Sequence, residues 1–113
     1  MVSFDDFKKL DLRIGKILSV ENHPNADKLY VLKIDIGGGE VKQSVAGLRP
    51  YLTPEQLINR SVSIIANLEP VMLRGVESQV MIMVVTDLAP DTAPKSLHLL
   101  VPEKEVPVGS KIS

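Results

Sequence analysis

Thr53-Pro54-Glu55-Gln56-Leu57-Ile58-Asn59 reads as a short helix set between two groups of strands. Thr53 is a good N-cap. Pro54 suits the first helical position, where a missing N–H costs nothing, and Gln56 stands at the capping-box spacing. Upstream lie three strand patterns. Leu12 to about Val20 is the first, and Gly15 inside it suggests a bulge or sharp bend, as a small barrel needs at its corners. Leu29 to Ile36 alternates, with Tyr30, Leu32, Ile34 and Ile36 on one face and Lys33 and Asp35 on the other. Gly37-Gly38-Gly39-Glu40 makes a hairpin turn into the third strand, Val41 to Gly47. Downstream, Ser61 to Leu68 and Val80 to Val85 read as strands four and five, and Leu97 to Val101 as a sixth. Pro90, Pro94, Pro102 and Pro107 break up the remainder.

Three strands, a short helix and two strands is the order of an OB-fold, an all-β, five-stranded Greek-key barrel in which the helix plugs the gap between strands 3 and 4. A short N-terminal helix, capped by Ser3 and running to about Leu10, and a C-terminal extension complete one expected domain, residues 1–113. Phe4, Phe7 and Leu10 fall on one side of that helix. An SH3-like or other small β-barrel would share much of the pattern.

In an OB barrel the loops joining strands 1–2 and 4–5 flank the ligand face. Both are polar in this chain: His23-Pro24-Asn25-Ala26-Asp27-Lys28, and Glu69 to Ser78 within the stretch Asn67-Leu68-Glu69-Pro70-Val71-Met72-Leu73-Arg74-Gly75-Val76-Glu77-Ser78. The second carries an amide, a guanidinium, a hydroxyl and a turn glycine, more than chain reversal requires. Such groups suit phosphate, ribose and base edges. Arg74 is the first candidate, because its planar fork binds phosphate bidentately; a surface ion pair with Glu69 or Glu77 is the plainer role. Asn67 and Ser78 suit RNA contacts or caps of the loop's own backbone equally. Lys28 and Lys42 could supply backbone charge, and Gln43 and Ser44 could present polar groups on the barrel face.

Val80-Met81-Ile82-Met83-Val84-Val85 is apolar on both faces, so the N-terminal helix, the segment after Leu97 or a second subunit must cover the outer one. A homodimer is one answer.

Composition narrows the function classes. The absence of cysteine excludes disulfides, thiol nucleophiles and Cys-ligated metals, and suits a reducing cytoplasm. His23 and His98 share no ligand spacing, so no metal is expected, and His23 reads as a turn-stabilising residue before Pro24. Asp11 and Asp27 lack a nucleophile to serve and read as structural, so neither catalysis nor a cofactor is expected. The N-terminus carries Asp5 and Asp6 and lacks a continuous apolar run, so no signal peptide is expected, and no run is long enough for a membrane span. The net charge of −1 argues against a strong nonspecific nucleic-acid binder. Residues 28–74, however, hold six basic and four acidic side chains. Only four aromatic residues are present, Phe4, Phe7, Tyr30 and Tyr51, too few for a base-stacking platform. That favours recognition of the shape and backbone of folded RNA.

Three segments together resemble a known family: Asp11-Leu12-Arg13-Ile14-Gly15-Lys16-Ile17, His23-Pro24-Asn25-Ala26-Asp27-Lys28-Leu29-Tyr30, and Asn67-Leu68-x-Pro70-x-x-Leu73-Arg74-Gly75-Val76-Glu77-Ser78. They resemble the tRNA-binding domain appended to the C-terminus of many methionyl-tRNA synthetases and also found as a freestanding protein. The resemblance implies an OB fold, homodimerisation, tRNA as ligand, a synthetase catalytic domain as partner, and no catalysis by the domain itself. Where the family's Asn-Leu-x-Pro loop usually carries two lysines, this chain has Glu69 and Met72, which implies weaker tRNA binding. Some relatives of this fold resemble export chaperones. A polypeptide-binding dimer, fitting the apolar fifth strand, Glu69 and Met72, is therefore the alternative.

Overall fold

The structure is a computed structural model of the 113-residue chain and describes residues 1–88 and 94–113. The elements in order are α1 (Phe4–Lys8), β1 (Leu12–Asn22), β2 (Tyr30–Gly37), β3 (Glu40–Ala46), α2 (Pro54–Leu57), β4 (Ser61–Ile65), β5 (Val71–Leu73), β6 (Val76–Ser78), β7 (Met81–Ile82), β8 (Val84–Leu88) and β9 (Pro94–Leu99). A five-stranded antiparallel sheet runs β3-β2-β1-β4-β7, and β5–β6 and β8–β9 form separate two-stranded ribbons.

The sheet curls because β1 serves two partners. Its first half pairs with β4, from Leu12 opposite Ile65 to Lys16 opposite Ser61. Its second half pairs with β2, from Lys16 opposite Asp35 to Asn22 opposite Tyr30. The barrel closes where the edge of β3 meets residues 78–80: the Gln79 N–H donates to the Gln43 carbonyl at 2.7 Å. The OB-fold expected from the element order is the fold observed.

The alternation of β2 does what its pattern requires. Tyr30, Leu32, Ile34 and Ile36 are all buried, and with Ile17, Leu57, Val62, Ile64, Val80 and Ile82 they form the core. Leu57, fully buried, seats α2 against that core, while the Thr53 N–H donates to Gln56 Oε1 at 2.8 Å in the expected box. The helix end is stitched to β1 by Asn59 N–H to the Ile17 carbonyl, 2.8 Å, and Ile17 N–H to the Arg60 carbonyl, 3.0 Å.

Four expectations change. Gly15 is not the bulge, since the register shift of β1 against β2 falls between Ile17 and Ser19. Gly15 instead marks a close approach, where an added Cβ would lie 2.8 Å from Ile34 Cγ2 and 3.1 Å from the Asp35 carbonyl oxygen. The fourth strand stops at Ile65, and the polar segment after it contains the β5–β6 hairpin. The fifth strand divides at Met83, whose N–H donates to the Ser63 carbonyl and whose carbonyl accepts from Leu100. The sixth strand runs Pro94–Leu99 rather than Leu97 to Val101 and pairs edge to edge with β8, Val84 opposite Leu99. Met81 and Val85 on the outer face stay exposed, and α1 buries none of its residues. Pro90 lies outside the described residues.

The C-terminal extension is part of the sheet. Residues 109–112 run along the half of β1 that β2 leaves free, with Gly109 N–H to the Ile14 carbonyl and Ile112 N–H to the Leu12 carbonyl. Gly109 fits against Gly37 so closely that a Cβ on Gly37 would come within 2.8 Å of Gly109 Cα. Among the described residues, no helix is long and apolar enough to cross a membrane.

Candidate nucleic-acid interface

The hairpin β5–β6 is exposed along most of its length. Its pairing runs Val71–Ser78, Met72–Glu77 and Leu73–Val76, which leaves Arg74 and Gly75 as a two-residue turn. Both turn residues have positive φ, 52° for Arg74 and 87° for Gly75, as a hairpin twisted to match its strands demands. Asn, Asp or Gly is the usual choice at the first position. An arginine there sits in the left-handed region at a cost of about 1–2 kcal/mol. Its side chain is exposed, and it joins neither of the ion pairs found among the described residues.

The base of the hairpin is fastened to β3 by polar side chains. The buried Ser78 Oγ accepts from Val45 N–H at 3.0 Å, Gln43 Nε2 donates to the Glu77 carbonyl at 2.7 Å, and Gln79 Oε1 accepts from Gln43 N–H at 2.9 Å. The tip is fastened differently. His23, only 4% exposed, has Nε2 2.9 Å from the Leu73 carbonyl, and its Nδ1 accepts from Asn25 N–H at 2.9 Å. The turn-stabilising role expected of His23 is present, and a link across fifty residues of sequence comes with it. The first polar loop and the tip of the second therefore meet.

The candidate residues divide by what their polar atoms already do. Arg74 at the tip and Lys28 in the first loop are exposed cations outside the ion pairs of the described residues. Lys42 lies near the start of β1, close enough to help lower the Asp11 pKa. Gln43 is half-buried and also accepts from Lys33 Nζ. Ser44 is buried and lines an apolar cavity of about 350 Å³ with Leu48, Leu68, Leu73, Val80 and Ile82. Ser78 spends its hydroxyl on β3 and on the Val80 carbonyl. Asn67 spends both ends of its amide, accepting from Asp11 N–H and donating to the Lys9 carbonyl, each at 2.7 Å. Both thus make the internal bonds that their positions equally suited. Gln79, unremarked in the sequence, and Lys33, read there only as lying on the second face of its strand, both bond to Gln43.

The structural role of Asp11 is an ion pair. Its carboxylate takes a two-pronged ion pair from Arg13, whose Nη1 also donates to the Ile36 carbonyl at 2.9 Å. The hydrogen bond from Arg13 holds the Asp11 carboxyl below its ordinary range, against a smaller opposing effect of burial; the same bond raises Arg13. Among the described residues, no three His, Asp or Glu side chains cluster as metal ligands would.

Comparison with known proteins agrees with this geometry. The family model described as "Putative tRNA binding domain" matches residues 12–111. The chain is 58% identical over 111 residues to the methionine–tRNA ligase of Pyrococcus furiosus, and 42% identical over 112 residues to that of Methanosarcina mazei. These alignments cover 98% and 99% of this chain but only 14% and 15% of the ligases. A methionyl-tRNA synthetase-related protein from Pyrococcus horikoshii superposes with a TM-score of 0.86 at 28% identity, covering 100% of this chain and 98% of the other. The chaperone CsaA of Bacillus anthracis superposes with a TM-score of 0.84 at 34% identity, covering 100% and 99%. The chain belongs to the tRNA-binding domain family and resembles the corresponding part of methionyl-tRNA synthetases.

Proposed function

We propose that this member of the tRNA-binding domain family holds folded tRNA across the face between the His23–Lys28 loop and the β5–β6 hairpin. The observation that carries the reading is the 2.9 Å bond from His23 to the Leu73 carbonyl, which puts the first loop beside the turn that bears Arg74. Arg74 and Lys28 contact phosphates, with Lys42 adding charge farther along the face. Gln43, Asn67 and Ser78, committed to internal bonds, set the shape of that face, and any contact they make to ribose or base edges shares atoms with those bonds. Ser44 forms the wall behind it. Glu69 and Met72 keep the affinity modest, which suits a domain that raises local tRNA concentration for a catalytic partner and performs no chemistry itself.

The whole chain, residues 1–113, acts as one domain in the cytoplasm, as a homodimer. The exposed Phe4, Phe7 and Leu10 of the N-terminal segment, with Met81 and Val85, supply apolar surface for the second subunit. The partner in tRNA delivery is the catalytic domain of a methionyl-tRNA synthetase, on the same chain or a separate one.

Fluorescence anisotropy with folded tRNA, unfolded RNA and duplex DNA at several salt concentrations tests the reading. Folded tRNA should bind best and weaken as salt rises. Arg74→Ala should lower affinity about five- to tenfold and reduce the salt slope by about one. Equal affinity for unfolded RNA, or an unchanged Arg74→Ala variant, would overturn it. The apolar cavity behind the hairpin favours a second reading, polypeptide binding. Retention of unfolded polypeptide without tRNA would select it.

A further inference from the structure

We infer that His23 is a positioning residue for Arg74: its Nε2 bond to the Leu73 carbonyl holds the hairpin tip in the one conformation that presents the guanidinium to RNA. The inference rests on the tRNA-holding function proposed above and adds a residue that makes no contact with the ligand.

The two partners of the imidazole dictate its state. Asn25 N–H is a donor, so Nδ1 facing it must carry a lone pair. The Leu73 carbonyl can only accept, so the ring proton sits on Nε2. A neutral ring with that proton placement satisfies both. The rigid ring thus offers an acceptor to its own loop and a donor to another loop.

The tip depends on this bond because, among the described residues, no other hydrogen bond joins residues 71–76 to anything outside the ribbon itself. Val71 to Glu77 includes no buried residue. The fastenings to β3 all lie at the base, through Glu77, Ser78 and Gln79. Among the described residues, His23 makes the side-chain hydrogen bond to the backbone of residues 71–76, at the residue immediately before Arg74. A ribbon of three residue pairs is marginal alone in water. Arg74 also occupies a backbone region that an arginine leaves readily. Released from His23, the turn would relax and the guanidinium would search many positions. His23 shares its loop with Lys28, so the same bond sets the spacing between the two cations.

The plainer role for a buried histidine is to fill space. Two variants of the full chain separate the roles, because each fills the site and each gives up the Nδ1 acceptor. His23→Gln keeps an N–H donor toward Leu73; His23→Phe keeps none. Thermal melts establish that each is folded, and His23→Leu replaces the phenylalanine variant should that one fail to fold. In amide NMR spectra without RNA, His23→Phe should move the Arg74 and Gly75 resonances towards random-coil positions, while His23→Gln leaves them near native. In the tRNA titration His23→Phe should weaken binding about five- to tenfold, matching Arg74→Ala, and His23→Gln should stay within about twofold of wild type. The double variant His23→Phe/Arg74→Ala should bind no more weakly than Arg74→Ala alone.

Equal behaviour of the Gln and Phe variants, or penalties that multiply in the double variant, would overturn the inference. Failure of the proposed function is separately visible: a wild-type chain that holds no tRNA ends that reading, and the NMR comparison still decides whether His23 fixes the tip.

Discussion

Two of the hairpin turns, β2–β3 and β5–β6, solve the same geometric problem with opposite chemistry. The β2–β3 turn runs through Gly37, Gly38 and Gly39, all at positive φ, where glycine pays no steric cost. The β5–β6 turn needs the same sign of φ at two positions and gives the first to Arg74. The glycine turn is braced from within, with Gly37 N–H bonded to Asp35 Oδ1 and Gly37 against Gly109. The arginine turn has open space around Gly75, as Gly38 and Gly39 have in the other, but its brace is a single histidine behind it. Backbone strain is thus accepted where a side chain must be displayed and avoided where the chain only reverses. On the function proposed above, the first hairpin serves stability and the second serves the ligand.

The sharpest way to break this contrast is Gly37→Ala. The new Cβ would sit at positive φ and overlap the backbone of Gly109, which cannot swing aside as a side chain does. We expect a loss of about 3 kcal/mol, read as a thermal midpoint lowered by roughly 10 °C. The tRNA affinity of the folded fraction should stay within about twofold. A large affinity loss without destabilisation would show that the glycine turn is also a ligand element.

Arg74→Gly should act in the opposite sense. Relief of the left-handed conformation, partly offset by the freedom glycine adds to the unfolded chain, should stabilise by about 0.5–1 kcal/mol. The same change should weaken tRNA binding. A variant both less stable and unimpaired in binding would reverse the assignment.

The smallest effect concerns the Asp11–Arg13 pair, which belongs to the barrel side. Asp11 is held below its ordinary value of 3.8 by the Arg13 hydrogen bond. A depressed carboxyl contributes stability that is complete above the unfolded value and lost as pH falls through the folded one. Thermal midpoints measured from pH 6 down to pH 2 should therefore fall less steeply below about pH 4 in Asp11→Asn than in wild type. Parallel curves would remove the pair from the stability of the sheet. The effect is small because both side chains are partly solvated.

The sequence made the barrel legible because its signals are local. Tyr30, Leu32, Ile34 and Ile36 state which face of β2 is inside, and Thr53, Pro54 and Gln56 state where α2 begins. The strand order then leaves few topologies. The candidate face was legible in part. Arg74 stood out as a phosphate-seeking side chain and Gly75 as a turn glycine, yet the strands flanking them are three residues each, too short for alternation to register, so the segment read as a loop. The roles of Asn67 and Ser78 were undecidable, because an amide or hydroxyl that caps backbone has the same letters as one that contacts RNA. Their partners, Lys9, Asp11 and Val45, lie far off in the chain. Gly15 carried a real signal with a different cause: a strand glycine reports either a bulge or a close neighbour, and only packing against Ile34 and Ile64 distinguishes them. Met83 was missed because an apolar run contains no letter for a change of partner.

Residues 109–112 complete the sheet by returning to residues 12–14, a closure that spans almost the whole chain. Contacts of such long sequence separation are slow to form, since the entropy of closing the loop is spent before the hydrogen bonds repay it. During synthesis the free half of β1 therefore remains an open edge until the last part of the barrel has emerged, and milliseconds to seconds is the expected refolding time. For the growing chain, that interval is when association with the wrong neighbour is easiest.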